Sequence, residues 1–542
     1  MTIMPVAEFM PDMPDLAEAT TIAQNVIAVT PASYGPVRDL YPFSNAIVVN
    51  DHQILGMGAA AADDLTQYFF TGVNKSLYMI PGGSTSFSDV SGTTYAAYPE
   101  NWRFAQFKQL MLATDFNDPI QSYTMGSGGV FGNLSATAPR ARHIAVAKNF
   151  VIVGNTSDPI GGDNPARLWW SAYNDPTNWP TPGSVTAQQT QSDYNDMNGP
   201  MGAITALAPN LAGCDCAVFF ERGVFRMIYA GPPDVFDFYP AASVRGTTAS
   251  NSVVSLGQIV YYLGEDGFYA FDGNTSVPIG ANKVDKWFLA NADLTTNTYG
   301  GAPSLTPWNN DKLVIGAADV NNKAIIWLFR LLSDPLPSYG FPAPTTMLIY
   351  RWDIQRWSIA SLPAQWICRV PSPSTTTPST LAPVSISQGH LQLAAMSPLQ
   401  AGTNNSYLSY FNGAFLTAEI GSKVVQIVPD SRAMLTGVRP LVNSGQQSDL
   451  ATEAGDTLVT EAGAAIGTED YSVAITVAVS ARATYQDAEV FGADTPLDII
   501  GNASFRADGR YHRARITVDA HTTGIWSQLA GFDVAASKSG QR

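Results

Sequence analysis

A β-hairpin grammar repeats five times between residues 67 and 417, and it limits what this chain can fold into more than any other feature. At 259–271, Ile259, Val260, Tyr261, Tyr262 and Leu263 run into Gly264-Glu265-Asp266-Gly267, and Phe268, Tyr269, Ala270 and Phe271 return. Aromatic and β-branched residues suit a pleated, half-buried surface, and glycines supply the positive φ of tight turns. The same pattern recurs at 68–80, 218–229, 313–329 and 407–416, the last around Asn412-Gly413. Short hairpins repeated over this distance imply a β-propeller or a large sandwich. Such scaffolds usually bind, line or assemble.

Composition narrows the reading. The chain has 542 residues, of which 45% are hydrophobic and only 14% charged, against about 25% charged in an ordinary globular chain. Low charge with many aromatics favours burial against other subunits, although a β-rich monomer shares that profile. The formal charge of −16 argues against sequence-specific reading of nucleic acid, which needs a basic footprint. It is compatible with DNA that slides past without sticking.

Three cysteines, Cys214, Cys216 and Cys368, make no disulfide framework, and two thiols on one strand face are too few for a structural zinc site. They read as plain buried or half-buried thiols. No secretory signal is evident at the N-terminus, and no apolar run approaches the roughly 20 residues of a membrane helix.

The chain divides into three parts. Residues 1–45, punctuated by Pro5, Pro11, Pro14, Pro31, Pro36 and Pro42, read as an extended N-terminal arm with a helical turn near 16–22. Residues 46–429 carry the hairpins and read as a propeller with long loop insertions at 155–165, 181–200 and the Ser/Thr/Pro stretch 371–383. The best helix candidate is VDKWFLANADL at 284–294. Residues 430–542 change texture. A polar, acidic, Gly/Ala-rich stretch at 446–465 precedes alternating strands at 471–484 and 510–520. This part reads as a separate, sandwich-like C-terminal β domain, able to leave the propeller folded when removed.

No constellation marks catalysis. The turn SAYNDPTNW at 171–179 is similar to the Asp-box of sialidase propellers but lacks its glycine. The plainer reading is an Asp-Pro turn with Trp179 packed back on the sheet. Glycoside hydrolysis needs two carboxylates facing across a cleft, whereas Glu265-Asp266 reads as a solvated hairpin tip. His52, His143, His390, His512 and His521 are scattered, and no H-x-x-x-H, G-x-S-x-G or Walker-type loop occurs. The expected catalytic, cofactor and metal residues are therefore none, and the chain reads as no enzyme. Leu168-Trp169-Trp170, Tyr350-Arg351-Trp352 and Arg356-Trp357 could stack on sugars or bases, but in a blade they are more often core. Arg506, Arg510, His512, Arg513 and Arg515 form the one local basic concentration; it suits a partner's acidic surface, a nucleic-acid backbone or a solvated strand face.

Several segments resemble the tail-nozzle proteins of short-tailed bacteriophages, the packaged-DNA stabilisation family. The N-terminal half carries most of the likeness. Val29-Thr30-Pro31-Ala32-Ser33-Tyr34-Gly35-Pro36 leads to Phe69-Phe70-Thr71-Gly72, Leu77-Tyr78 and Phe87-Ser88-Asp89-Val90-Ser91. Asn101-Trp102-Arg103-Phe104-Ala105-Gln106-Phe107, Ala113-Thr114-Asp115 and Asp118-Pro119-Ile120-Gln121 follow. The turn at 171–179, the strand at 511–518 and Gly531-Phe532-Asp533-Val534 also match in order and spacing, while the loops at 181–200 and 371–383 do not.

The resemblance spans about two thirds of the chain and rests on no single motif. It implies a β-propeller with an added C-terminal domain, assembled as a homohexameric ring that continues the portal–adaptor channel. The expected function is that of a structural virion protein that retains packaged DNA and guides genome ejection. Its expected partners are copies of itself, the head-to-tail adaptor, tail fibre or spike proteins, and DNA passing non-specifically. Its expected place is the virion tail, after assembly in the host bacterial cytoplasm. The rival reading is a receptor- or glycan-binding, or glycan-cleaving, phage tail propeller. A second rival is a cellular scaffolding propeller.

Overall fold

The computed structural model describes residues 2–540 except 15–18, 49–53, 83, 97–100, 242–244, 295, 298–307, 310–313, 336–342, 375–384, 398–404, 445–473, 499 and 520–525. Seven four-stranded antiparallel units follow one another in it as the blades of a β-propeller. Blades 1 to 6 begin with the strands Gly56–Ala61, Arg103–Phe107, Arg140–Ala147, Ile204–Leu211, Val254–Leu256 and Ile315–Asp319, and each then steps outward in sequence order. Blade 7 begins with Trp366–Ser374. These seven first strands neighbour one another in order, and the seventh neighbours the first, so they form the wall around the propeller axis.

Four of the five expected hairpins form as written. Ile259–Leu263 pairs with Phe268–Phe271, Gln67–Gly72 with Leu77–Pro81, Cys214–Phe220 with Val224–Gly231, and Ile315–Asp319 with Ala324–Phe329. The fifth, at 407–416, does not close on itself. Tyr41–Pro42 pairs with Leu408–Tyr410 as the outer strand of blade 7, and Arg38 bridges to Phe415. Gly413 and Leu416 donate their N–H groups to Asp39 and Val37 carbonyls. The N-terminal segment therefore occupies the place of the hairpin's own partner and ties the last blade to the start of the chain.

That segment is not a free arm. Thr2–Pro5 pairs with the C-terminal strand Trp526–Gly540, and Tyr34 of Ser33–Pro36 pairs with Leu529 on the same strand. The resulting sheet runs Ala503–Gly509, Arg432–Ser444, Trp526–Gly540, Ser33–Pro36, Val26–Thr30. Where a helical turn is expected near 16–22, Ala19–Thr20 and Ala23–Gln24 are strands, and residues 15–18 lie outside those described.

The C-terminal part does not stand apart from the propeller as expected. Blade 6 continues outward from Arg356–Ser361 through Ala23–Gln24, Ala418–Gly421, Tyr511–Asp519, Ala474–Arg482 and Thr495–Pro496. This nine-stranded sheet faces the six-stranded one, giving a β-sandwich built from both chain termini. Met4, Val26, Leu435, Val438, Val477, Ile516, Leu529 and Phe532 share one buried cluster with Phe268 of blade 5, Trp327 and Trp357 of blade 6, and Phe288 from the helix between those blades. Pairing and core cross the expected boundary at 430 together. The stretch at 446–465 lies outside the described residues.

The insertions are more ordered than expected. Residues 155–165 form the far ends of the strands Phe150–Asp158 and Gly162–Trp170. The 181–200 stretch holds the helix Val185–Thr190, capped by Ser184, and the outer strand Asp193–Asp196. Trp366–Ser374 pairs with Ser385–Met396, and the tip of that hairpin lies outside the described residues. The helix Asp285–Asn291 falls inside the expected 284–294, and Asp12, some 270 residues earlier, caps it by accepting from Lys286 and Trp287 N–H at 2.9 and 2.7 Å.

Aromatic packing joins the blades. The indole N–H of Trp102, at the start of blade 2, donates to the Val73 carbonyl of blade 1 at 2.9 Å. Trp327 of blade 6 donates to Ser252, beside blade 5, at 2.9 Å. Gly72 lies flat under Trp102, where an added Cβ would meet the indole at 2.2 Å. Much of the aromatic content is thus spent inside the monomer, between blades.

Candidate axial-channel site

The side chains singled out in the sequence are mostly structural. Trp169, Trp170 and Trp357 are buried, and Trp357 stacks with Trp327 at a ring separation of 5.9 Å. In the 171–179 turn Ala172 bridges Asp175, and buried Trp179 donates to the Pro176 carbonyl at 2.7 Å and meets Trp169 edge-on. The turn therefore has the Asp-Pro form with its tryptophan packed back on the sheet. Glu265 and Asp266 are exposed; Asp266 accepts from the Tyr269 hydroxyl and pairs with Arg245 at 3.4 Å.

The basic strand is not a free cationic face. Alternation puts Tyr511, Arg513 and Arg515 on one side, where Arg513 is buried and Tyr511 and Arg515 are half-buried. Arg513 is 2% exposed; its guanidinium pairs with Glu489 at 2.7 Å and donates to the Ser422 carbonyl and to Thr20 Oγ1. Arg515 pairs with Asp494 and Arg510 with Asp430. His512 is fully buried with Nε2 3.1 Å from the Ala433 carbonyl, and desolvation pushes its pKa down.

Two carboxyls are shifted upward by burial, Asp115 and Asp285, each to about 6. Asp115 Oδ1 accepts from Asp118 N–H at 3.0 Å in a buried turn of blade 2. Asp285 Oδ1 accepts from Phe268 N–H at 3.1 Å and fills the space that Gly267 and Gly280 leave open, where added Cβ atoms would lie within 2.2 Å of its carboxyl. Both are buried and hold local backbone. Cys214 and Cys368 are raised to about 11 by burial and Cys216 is raised further, so the thiols stay protonated near neutral pH. His143 is buried in the first strand of blade 3; His52, His521 and the His390 side chain lie outside the described residues. Among the described residues no His, Cys, Asp or Glu cluster is placed to hold a metal ion, and no helix is long and apolar enough to cross a membrane.

Among the described residues, one concave feature lies between the inner strands around the propeller axis. A cavity of about 300 Å³ opens between the inner strands of blades 1, 2, 5, 6 and 7. Met57, Trp102, Phe104 and Trp366 give it apolar walls, and Arg103, Arg369, Asn251 and Ser255 supply polar groups. Its volume falls at the small end of ligand sites. Trp102, Arg103 and Phe104 stand out in the sequence only as part of the resemblance, and nothing there marks them or Arg369 as a site, since the two arginines are scattered among apolar strand residues with no repeat between them. The available signal was an arginine in the first strand of a hairpin unit, the position nearest the axis.

No protein-family model matches the chain, and no curated protein matches it. Among solved structures, the chain is similar to the Pan2 WD40 domain of Neurospora crassa, at 8% identity over 76% of this chain and 97% of that one, with a TM-score of 0.33. It is similar to YCF48 bound to D1 peptide at 9% identity, over 70% and 97% of the two chains, with a TM-score of 0.33. AztD from Citrobacter koseri matches at 12% identity over 60% and 96%, with a TM-score of 0.30.

Proposed function

We propose that this chain is a structural protein of a short-tailed bacteriophage virion, a tail-nozzle component that extends the portal–adaptor channel, retains packaged DNA and guides its exit. One observation supports the reading most. A β-propeller carries a second β layer, and the resemblance implies a propeller with an added C-terminal β domain; here that layer also takes in the N-terminal strands. Interlocked termini suit a conduit under load, because neither end can peel away without breaking sheet hydrogen bonds at Thr2–Pro5, Ser33–Pro36 and Trp526–Gly540.

The charge balance fits the same role. A wall that passes DNA gains from few phosphate-binding cations, because each Lys or Arg contact adds salt-dependent affinity. The formal charge is −16, and the strongest basic cluster of the sequence is largely consumed by internal ion pairs. The partners proposed are further copies of the chain in a six-fold ring, the adaptor above it and fibres or spikes around it. Of the aromatics that might have served a glycan, Trp169, Trp170, Tyr350 and Trp357 are core residues and Trp352 is half-buried against the core, so the rival tail-propeller reading has less support.

Labelling places the protein. Antibody-gold against this chain should mark the tail end of particles from a phage carrying the gene, below the portal and adaptor. Particles without label at the tail, or label on the capsid shell, would refute the assignment.

A further inference from the structure

We propose that Asn198-Gly199, in the loop that follows the outer strand of blade 3, is a self-modification site, at which the asparagine converts to aspartate or isoaspartate with loss of ammonia. The other Asn-Gly pair of the sequence, Asn412-Gly413, is held against the same reaction by the fold. This inference does not depend on where the protein works.

The reaction needs only water. The peptide nitrogen of the residue after asparagine loses its proton and attacks the side-chain amide carbon. An N–C bond forms, the Cγ–Nδ2 bond breaks, and Nδ2 leaves as ammonia with a proton from water. Water then opens the resulting five-membered imide at either carbonyl, giving an aspartyl or an isoaspartyl link, with no change of oxidation state. Glycine favours the step because it has no Cβ to block the approach and its backbone turns freely. The step also needs a free glycine N–H, since that nitrogen is the nucleophile.

The two Asn-Gly pairs meet opposite surroundings. Asn198, Gly199 and Pro200 are exposed and belong to no strand or helix. Among the described residues, neither the Asn198 side chain nor the Gly199 N–H meets a hydrogen-bond partner, and an added Cβ at Gly199 would meet nothing within 4 Å. The flanks are fixed. Met197 N–H donates to the Ala166 carbonyl at 3.0 Å, and Arg222 donates from its N–H and Nη1 to the Met201 and Pro200 carbonyls at 3.0 and 2.9 Å. Gly413 N–H, by contrast, donates to the Asp39 carbonyl at 3.0 Å, and the Gly413 carbonyl accepts from Arg38 Nη1 at 3.1 Å. An added Cβ at Gly413 would meet the Asp39 oxygen at 2.8 Å. The N-terminal segment that completes blade 7 therefore occupies the nucleophile. Asn412 must wait for that bond to open, and a bond of ordinary strength keeps the open form to about a tenth or less. Conversion at position 198 adds a negative charge just beyond the strand Asp193–Asp196, and the isoaspartyl link lengthens the main chain there by one carbon.

Ageing of the full chain at mildly alkaline pH tests this, with acid digestion and tandem mass spectrometry that separates aspartate from isoaspartate. Asn198 should gain about one mass unit at least about fivefold faster than Asn412. In concentrated guanidinium chloride, where both pairs lose their folded surroundings, the ratio should fall below about threefold. Gly199→Ala, which has open space for its methyl group, should slow conversion of Asn198 at least about fivefold. A folded-state ratio below about fivefold, no conversion at Asn198, a ratio unchanged in guanidinium chloride, or undiminished conversion in Gly199→Ala would each overturn the proposal.

Discussion

At the residue scale, burial rather than exposure sets the chemistry of the charged groups. Asp115 is 1% exposed and its carboxyl is raised to about 6. The folded state therefore favours the protonated form. Its contribution to stability is complete below the unfolded value near 4 and is lost as pH rises through about 6. Asp115→Asn keeps an oxygen to accept from Asp118 N–H and removes the buried charge. At pH 7 the variant should be more stable than the parent by about 1–3 kcal/mol, with the difference gone by about pH 4, as read by urea unfolding across pH. A difference that grows toward acid would show that Asp115 is stabilised as the carboxylate.

Arg513 makes the opposite case. Arg513→Met strands Glu489 and unties Thr20, and a buried pair broken on one side costs about 3–5 kcal/mol. A thermal melt within a degree or two of the parent would show that the pair contributes little. The sequence displayed Arg513 as part of a basic alternating strand, and the period of two correctly grouped it with Tyr511 and Arg515. It could not say that Arg513 is buried, because Thr20 lies 493 residues away in the chain and Glu489 in a separate segment. The same limit hid Asp12 as the cap of the helix at 285–291.

Among elements, local signals were readable and long-range pairings were not. The four hairpins that close on themselves carry their turn residues and both strands within about 20 residues, so sequence alone specifies them. The hairpin at 407–416 has an equally good Asn412-Gly413 turn, yet residues 37–42 take up its pairing groups. The 155–165 stretch looked like a loop because its Gly, Asp and Pro residues mask two long strand ends. The outcome at 430 has the same cause. The alternating strands at 471–484 and 510–520 were readable as a sheet, but the strand Ala23–Gln24 that joins them to blade 6 carries no pattern of its own.

Two truncations follow from this. A chain ending at Asp430 exposes Met4, Val26 and Trp327 of the shared core, and should aggregate or melt more than about 10 °C below the full chain. A soluble fragment with the full chain's melting temperature would restore the independent C-terminal domain. A chain beginning at Phe43 loses the outer strand of blade 7 and four strands of the sandwich, Thr2–Pro5, Ala23–Gln24, Val26–Thr30 and Ser33–Pro36. It should fail in the same way, as judged by light scattering and calorimetry.

The whole molecule is a propeller and a sandwich fused through one continuous sheet and one buried cluster. The fold class was legible because hairpin repetition is local. Low charge and abundant aromatics pointed toward subunit contacts, and the structure accounts for a large part of that composition inside the chain, in Trp102, Trp327 and Trp357 between blades. The proposed ring would therefore rest on surfaces other than these buried aromatics. The central claim is that the protein works as a closed ring in a virion tail. Mass measurement of the protein purified alone and of tail assemblies released from virions tests it most directly. The account predicts that the tail assembly holds six copies of the 57.9 kDa chain in a closed ring, whether or not the isolated protein assembles by itself. A single copy of the chain in both preparations, or its absence from the tail assembly, would contradict it.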